Sequence, residues 1–129
     1  MPWVYEQRTG RLLDPDEIIV AVGYSGHDAH RNRPEDEHLI GLGPIPRGLY
    51  LMGEEYDSDT RGPVCIPLTP KWHDAHGRNG FLIHGDSRTH PGEASHGCIV
   101  LTRGVREMLA DHADELLEVI EGYIYRKWM

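Results

Sequence analysis

The amino-acid sequence predicts an α+β domain built mostly from antiparallel sheet. Fifteen glycines and nine prolines in 129 residues exceed their usual combined share of about 12%, which favours short strands and turns over a helical bundle. The apolar residues come in short runs separated by polar turns, the pattern of half-buried strands. A single segment, after Cys98, carries apolar residues at helical spacing. No internal repeat, low-complexity tract or linker divides the chain, so residues 1–129 read as one domain.

The elements follow in order. Trp3-Val4-Tyr5 and Arg11-Leu12-Leu13 flank a Thr9-Gly10 turn and predict an opening hairpin. Ile18 to Tyr24 is apolar and rich in β-branched residues, the signature of a buried strand. Residues 25–38 are polar throughout and predict a long surface loop, in which Glu35-Asp36-Glu37 is a solvated acidic run. Gly41 to Gly48 is a rigid connector into the strand Leu49 to Met52. Val64 to Leu68 and Phe81 to His84 are further strands, and Ile99-Val100-Leu101 is another. Thr102 is placed to cap a helix with apolar positions Val105, Met108, Leu109 and Ala113, which Leu116 continues. Leu116 to Ile120 and Tyr123 to Tyr125 also suit a closing strand or hairpin around Glu121-Gly122. The expectation is about seven short strands and one helix.

Composition removes several functions. A formal net charge of −8 argues against a nucleic-acid backbone as main partner. No apolar run approaches the ~18 residues of a membrane span. Residues 1–20 carry charges throughout and lack the apolar core of a Sec-type export signal. Two cysteines make no disulfide framework. Histidine is abundant, with nine residues.

The chemistry concentrates in residues 81–101. An apolar strand ends in His84, a polar loop follows, and an apolar strand begins at Cys98. Adjacent strands can bring an imidazole beside a sulfur, where it lowers the thiol pKa and later returns the proton to a leaving amine. Gly97 permits close approach of a substrate carbonyl, and N–H groups near Cys98 suit an oxyanion hole. Cys65, within Pro63-Val64-Cys65-Ile66-Pro67, reads as a small buried hydrophobe, a reading that also stands open for Cys98. Papain-like peptidases place Cys before His, but only His112 follows Cys98, so a His-first order is required. His90 is the rival base at a loop tip before Pro91-Gly92. Metal binding is the competing chemistry: His73-x-x-His76 with Asp74, or His84 with Asp86, supplies zinc-type ligands, although no H-E-x-x-H motif occurs.

Ser95-His96-Gly97-Cys98 with the upstream Ile83-His84-Gly85 resembles the signature of YkuD-type L,D-transpeptidases. Gly43-Pro44-Ile45-Pro46-Arg47-Gly48-Leu49-Tyr50 is similar to the segment that leads into one of their strands. The resemblance is closer to a small branch, formerly a domain of unknown function, that includes peptidoglycan-targeting effectors of type VI secretion systems. Tyr24-Ser25-Gly26, Phe81 to Asp86, His90-Pro91-Gly92 and Gly97-Cys98-Ile99 match it, and the likeness covers about residues 20–110. The chain departs from the larger enzymes in having 13 residues between His84 and Cys98. It also lacks the arginine and asparagine that often follow their cysteine.

The resemblance implies a YkuD-like β-sandwich with one helix after the cysteine strand. It further implies Cys98 as nucleophile, His84 as its base, and Ser95, His96 and Gly97 around the oxyanion region and substrate groove. His84 would be oriented by Asp86 or by a backbone carbonyl such as that of Gly85. The expected activity is an L,D-carboxypeptidase or L,D-transpeptidase reaction, including D-amino-acid exchange, on peptidoglycan stem peptides, with no cofactor and no metal. An effector of this type acts in the periplasm of a target cell and needs a cognate immunity protein in its producer. The alternatives are a phage or prophage wall enzyme released by lysis, a zinc peptidase or amidase using the histidines, and an inactive wall-binding module.

Overall fold

Thr9 and Gly10 close the first hairpin through bonds their own residue types supply. The Gly10 amide donates to the Glu6 carbonyl at 2.9 Å, and Thr9 Oγ1 donates to the Glu6 carboxylate at 2.9 Å. Around this turn β1 (Trp3–Glu6) pairs antiparallel with β2 (Arg11–Leu13), as the sequence predicts. The protein is seen here as a computed structural model that describes residues 2–122.

β3 (Ile19–Val22) extends the sheet beyond β2 and forms its edge. This corrects the buried strand expected at Ile18 to Tyr24: Ile19 is 50% and Val22 65% exposed. Among the described residues of β3, Ala21 is the one packed against the core. An apolar run reports β propensity but not the number of neighbours, and an edge strand has one.

The remaining strands are β4 (Tyr24–Ser25), β5 (Gly48–Met52), β6 (Tyr56–Ser58), β7 (Gly62–Lys71), β8 (Leu82–His84), β9 (Ile99–Val100) and β10 (Leu116–Ile120). Their order is β3-β2-β1-β10-β5-β7-β8-β9-β4, with β6 on β7. The described residues thus hold ten strands rather than seven. The sheet is mixed, because β10 runs parallel to β1 and β9 runs parallel to β8. The ten residues of β7 join the two halves: Leu68–Lys71 pairs β5, and Ile66 and Pro67 pair β8.

β10 is the strand expected at Leu116 to Ile120. It lies between β1 and β5, with Leu117 and Val119 buried, and Leu116 opens this strand instead of continuing a helix. The expected partner segment Tyr123 to Tyr125 lies outside the described residues. Helix α1 (Arg103–Ala110) stops before Ala113, as the Asp111 and His112 amides turn back to Met108 and Leu109. Thr102 stands at its N-cap, but its hydroxyl makes no capping bond. The helix packs Leu109, Val105 and Met108 on the core, where Tyr5, Tyr50, Ile66, Ile83 and Ile99 are fully enclosed. No helix among the described residues is long and apolar enough to cross a membrane.

The loop from residue 26 to residue 47 runs over the surface, as expected, but buries Gly26, Pro34, Glu37 and residues 43–46, with 3₁₀ turns at Asp28–His30 and Pro34–Asp36. Glu37 corrects the reading of the acidic run. It is 8% exposed and accepts Gln7 Nε2 at 3.0 Å, Arg47 Nε at 2.8 Å and His76 Nε2 at 2.7 Å. Burial alone would raise its pKa, but the bonds from Gln7, His76 and Arg47 outweigh that and hold it below the ordinary value. The partners lie 30 to 39 residues away or across a turn, so local sequence polarity does not reveal them.

The two kinds of apolar strand position separate in a stability measurement. Val22→Thr on the exposed edge is expected to change unfolding free energy by no more than about 0.5 kcal/mol. Ile83→Ala in the enclosed centre is expected to cost about 2–5 kcal/mol. Urea denaturation of both variants checks the contrast.

Candidate active site

His84 ends β8 and is 2% exposed. Its Nδ1–H donates to the Gly85 carbonyl at 2.8 Å, which fixes the neutral tautomer and leaves the Nε2 lone pair free. Nε2 is buried and has no hydrogen-bond partner among the described residues. Burial, assisted by Arg61 and Arg106, holds the imidazole pKa below its ordinary value against the pull of the Gly85 bond. At neutral pH the ring is therefore a proton acceptor. Gly85 has no room for a side chain, because the Arg106 guanidinium fills that space.

Asp86 does not orient the ring through a hydrogen bond. Its carboxylate accepts Tyr24 Oη at 2.7 Å and the amides of Ser87 and Gly92 at 2.8 and 3.1 Å, so it shapes the loop. It reaches His84 only through space. His90 is exposed, and its ring bonds Thr89 Oγ1 at 3.0 Å.

Ser95 is the knot of the cysteine loop. Its buried hydroxyl donates to the Cys98 carbonyl at 2.6 Å and accepts the amides of Gly26 at 2.9 Å and Gly97 at 3.1 Å. Ser25 ties the same loop from the other side, donating to the Gly97 carbonyl at 3.2 Å and accepting the Ile45 amide at 2.9 Å. The Gly97 amide is therefore already occupied. Residues 96–98 form a bend rather than strand, so His96 and Cys98 are not held by strand alternation. His96 is exposed, donates through Nδ1 to the Gly41 carbonyl at 3.0 Å, and stacks on His27 at 4.5 Å.

The Cys98 thiol points to the Gly80 carbonyl at 3.8 Å. Burial pushes its pKa up, while the Leu82 amide and the charges of Arg61 and Arg78 work the other way. Cys98 and His84 are neighbours through a parallel pair, with Ile83 opposite Ile99 and His84 opposite Val100. Cys98, in the bend directly before β9, stands two positions ahead of Val100, the register partner of His84. No hydrogen bond joins the two side chains. They line adjoining clefts of about 460 Å³ (Cys98) and 310 Å³ (His84), and Arg61 and His96 form part of both walls.

Arg78 was not singled out by sequence. Its buried guanidinium donates to the carbonyls of Glu37 at 2.6 Å, Pro44 at 2.9 Å, Gly43 at 3.0 Å and His96 at 3.2 Å. It also lies over the Phe81 ring and lines the Cys98 cleft. One arginine in a polar stretch, Arg78-Asn79-Gly80, carries no local signal for this role. The histidines proposed for zinc are spent on separate partners: His73 on the Leu49 carbonyl and Ala75 amide, His76 on Glu37. Among the described residues no three His, Cys, Asp or Glu side chains converge on a metal-sized site.

The Tlde1 domain model matches residues 20–119, from within β3 to within β10, and so includes every residue of both clefts. The chain belongs to the Tlde1 domain family. That family is one of type VI secretion, L,D-transpeptidase-like effectors. No curated protein matches the chain. Within this Tlde1 domain, the buried serines and Arg78 fix the cysteine loop, and the Gly85 carbonyl fixes the histidine.

Removing one knot tests that description. Ser95→Ala leaves the Gly26 and Gly97 amides without their acceptor and is expected to cost about 2–4 kcal/mol. Ser87→Ala on the exposed loop is expected to stay within about 0.5 kcal/mol. Thermal or urea denaturation of both variants gives the comparison.

Proposed function

We propose that this Tlde1 domain is a cysteine acyltransferase acting on the peptide stems of peptidoglycan, on a YkuD-like fold that works as one catalytic unit. The observation that carries the reading is His84: a buried imidazole, fixed in one tautomer by the Gly85 carbonyl, with an unpaired Nε2, at the end of β8, whose parallel neighbour β9 directly follows Cys98. A buried polar atom left unpaired is costly, and a general base needs this arrangement.

In the proposed reaction the Cys98 side chain turns from the Gly80 carbonyl toward His84. Nε2 takes the thiol proton as Sγ attacks the carbonyl carbon at the L-centre of the third stem residue. The tetrahedral oxyanion forms beside the Cys98 amide in the field of Arg78. It collapses with cleavage of the C–N bond, and the terminal D-alanine leaves as an amine carrying the proton from Nε2. Water then hydrolyses the thioester in an L,D-carboxypeptidase cycle. An amine acceptor instead gives transpeptidation or D-amino-acid exchange. Ser95 holds the loop, and His96 lines the groove.

Membership in a type VI effector family supports delivery into a target cell, action on the periplasmic wall, and a cognate immunity protein in the producer. The separation of His84 from Cys98 is the one observation that favours a wall-binding module without chemistry, and the same experiment decides between them.

Muropeptides incubated with the protein and analysed by mass spectrometry are expected to lose terminal D-alanine, and Cys98→Ala to leave them unchanged. His84→Ala is expected to lower the rate by about 10²–10⁴-fold, and His90→Ala to leave it near wild type. Turnover by Cys98→Ala would remove the nucleophile. Because His84 must be neutral to accept the proton and its pKa lies below the ordinary 6.5, the acid limb of kcat/KM is expected below pH 6.5. A pH profile with its acid midpoint above that value would assign the base elsewhere.

A further inference from the structure

We propose that Arg61 is the residue that recognises the free carboxylate of the leaving amino acid, and so restricts cleavage to the last residue of a stem. This rests on the acyl-transfer reading. The chain carries 21 acidic residues against 13 basic ones, yet the Cys98 cleft is walled by two arginines, Arg61 and Arg78, and no carboxylate. Such a cleft favours an anion, whereas the His84 cleft, lined by Asp86 and Glu93, disfavours one beyond the wall that Arg61 forms. Arg78 has its guanidinium committed to four backbone carbonyls. Arg61 is exposed, and no salt bridge among the described residues engages it.

Position selects which carboxylate. Arg61 belongs to the wall shared by the Cys98 and His84 clefts. Attack takes place at Cys98, while the departing nitrogen must collect its proton at His84 Nε2. The leaving residue therefore spans the two clefts and passes that wall, and its carboxylate is one carbon from the nitrogen. A guanidinium there pairs with a terminal carboxylate through charge-assisted bonds. The residue is held in place for this: its amide donates to Ser58 Oγ at 3.0 Å at the β6–β7 turn, and Arg106 donates to the nearby Pro63 and Val64 carbonyls at 2.6 and 3.1 Å.

The test compares a tetrapeptide stem with the same peptide ending in D-alaninamide, on wild type, Arg61→Gln, Arg61→Lys and, as a control for lost charge, Arg103→Gln. Wild type and Arg103→Gln are expected to prefer the free acid in kcat/KM by about 10–100-fold, the range for one charge-assisted interaction. Arg61→Gln is expected to reduce that preference to about 3-fold or less, chiefly through KM for the acid, and Arg61→Lys to restore part of it. Arg61→Gln with an undiminished preference overturns the proposal. Binding of both peptides to Cys98→Ala and to Cys98→Ala/Arg61→Gln, followed by calorimetry, separates the two readings. If wild type cleaves neither peptide, the acyl-transfer reading fails. The Arg61 assignment then stands on an acid preference in binding that vanishes with Arg61→Gln, and falls without one.

Discussion

Taking the Arg78 guanidinium out of water costs several kcal/mol before any partner is counted, and the four carbonyl oxygens around it are what make its burial tolerable. Those oxygens come from Glu37, Gly43, Pro44 and His96, so one side chain ties the loop before β5 to the loop before β9. At about 1.5–3 kcal/mol per bond to a charged donor, the set offsets the desolvation while fixing both loops. Gly97 belongs to the same constraint. A β-carbon there would run into the Arg78 guanidinium, and its φ of +135° is one that L side chains rarely adopt. The glycine before the cysteine thus makes room for an arginine.

Burial also sets the resting charge of the Cys98 thiol and the His84 imidazole. It raises the thiol pKa of Cys98 and lowers the imidazole pKa of His84, so both favour the neutral form. A preformed thiolate–imidazolium pair would need the opposite environment. Under the proposed reaction, proton transfer accompanies attack instead of preceding it. Arg61 and Arg78 moderate this by favouring the thiolate, while Arg61 and Arg106 disfavour the imidazolium. Under the proposed reaction, the positive charge of Arg61 and Arg78 around Cys98 would favour both the attacking thiolate and the developing oxyanion.

What the sequence made legible was local. The Thr9-Gly10 turn, the strands at Val64, Phe81 and Leu49, and the start of α1 are encoded by residues within a few positions of each other. So is the grouping of Ser95 to Cys98, because a loop and its strand are contiguous. What was not legible depends on partners far along the chain. Ile19 and Val22 share β propensity with a core strand, but their exposure follows from lying at the sheet edge. Glu37 looks like its solvated neighbours until Gln7 and His76 reach it. Arg78 has no motif at all. The position of β10 between β1 and β5 is likewise a non-local pairing that no window of residues contains.

The parallel pairing of β8 and β9 accounts for the open relation between His84 and Cys98. Parallel neighbours need a crossover of about a dozen residues, and 13 residues separate His84 from Cys98. A hairpin would set the two side chains directly across from one another. The parallel register sets them on a diagonal, with Arg61 and His96 along the wall between their clefts. The thiol's hold on the Gly80 carbonyl is a weak 3.8 Å contact, so little binds Sγ to that rotamer. Catalytic hydrogen bonds are commonly long before substrate binds. Under the proposed reaction, a substrate lying across both clefts would displace the thiol from Gly80 and present its leaving nitrogen to the base in one binding event. Under that reaction, the space between His84 and Cys98 is the one the scissile residue fills.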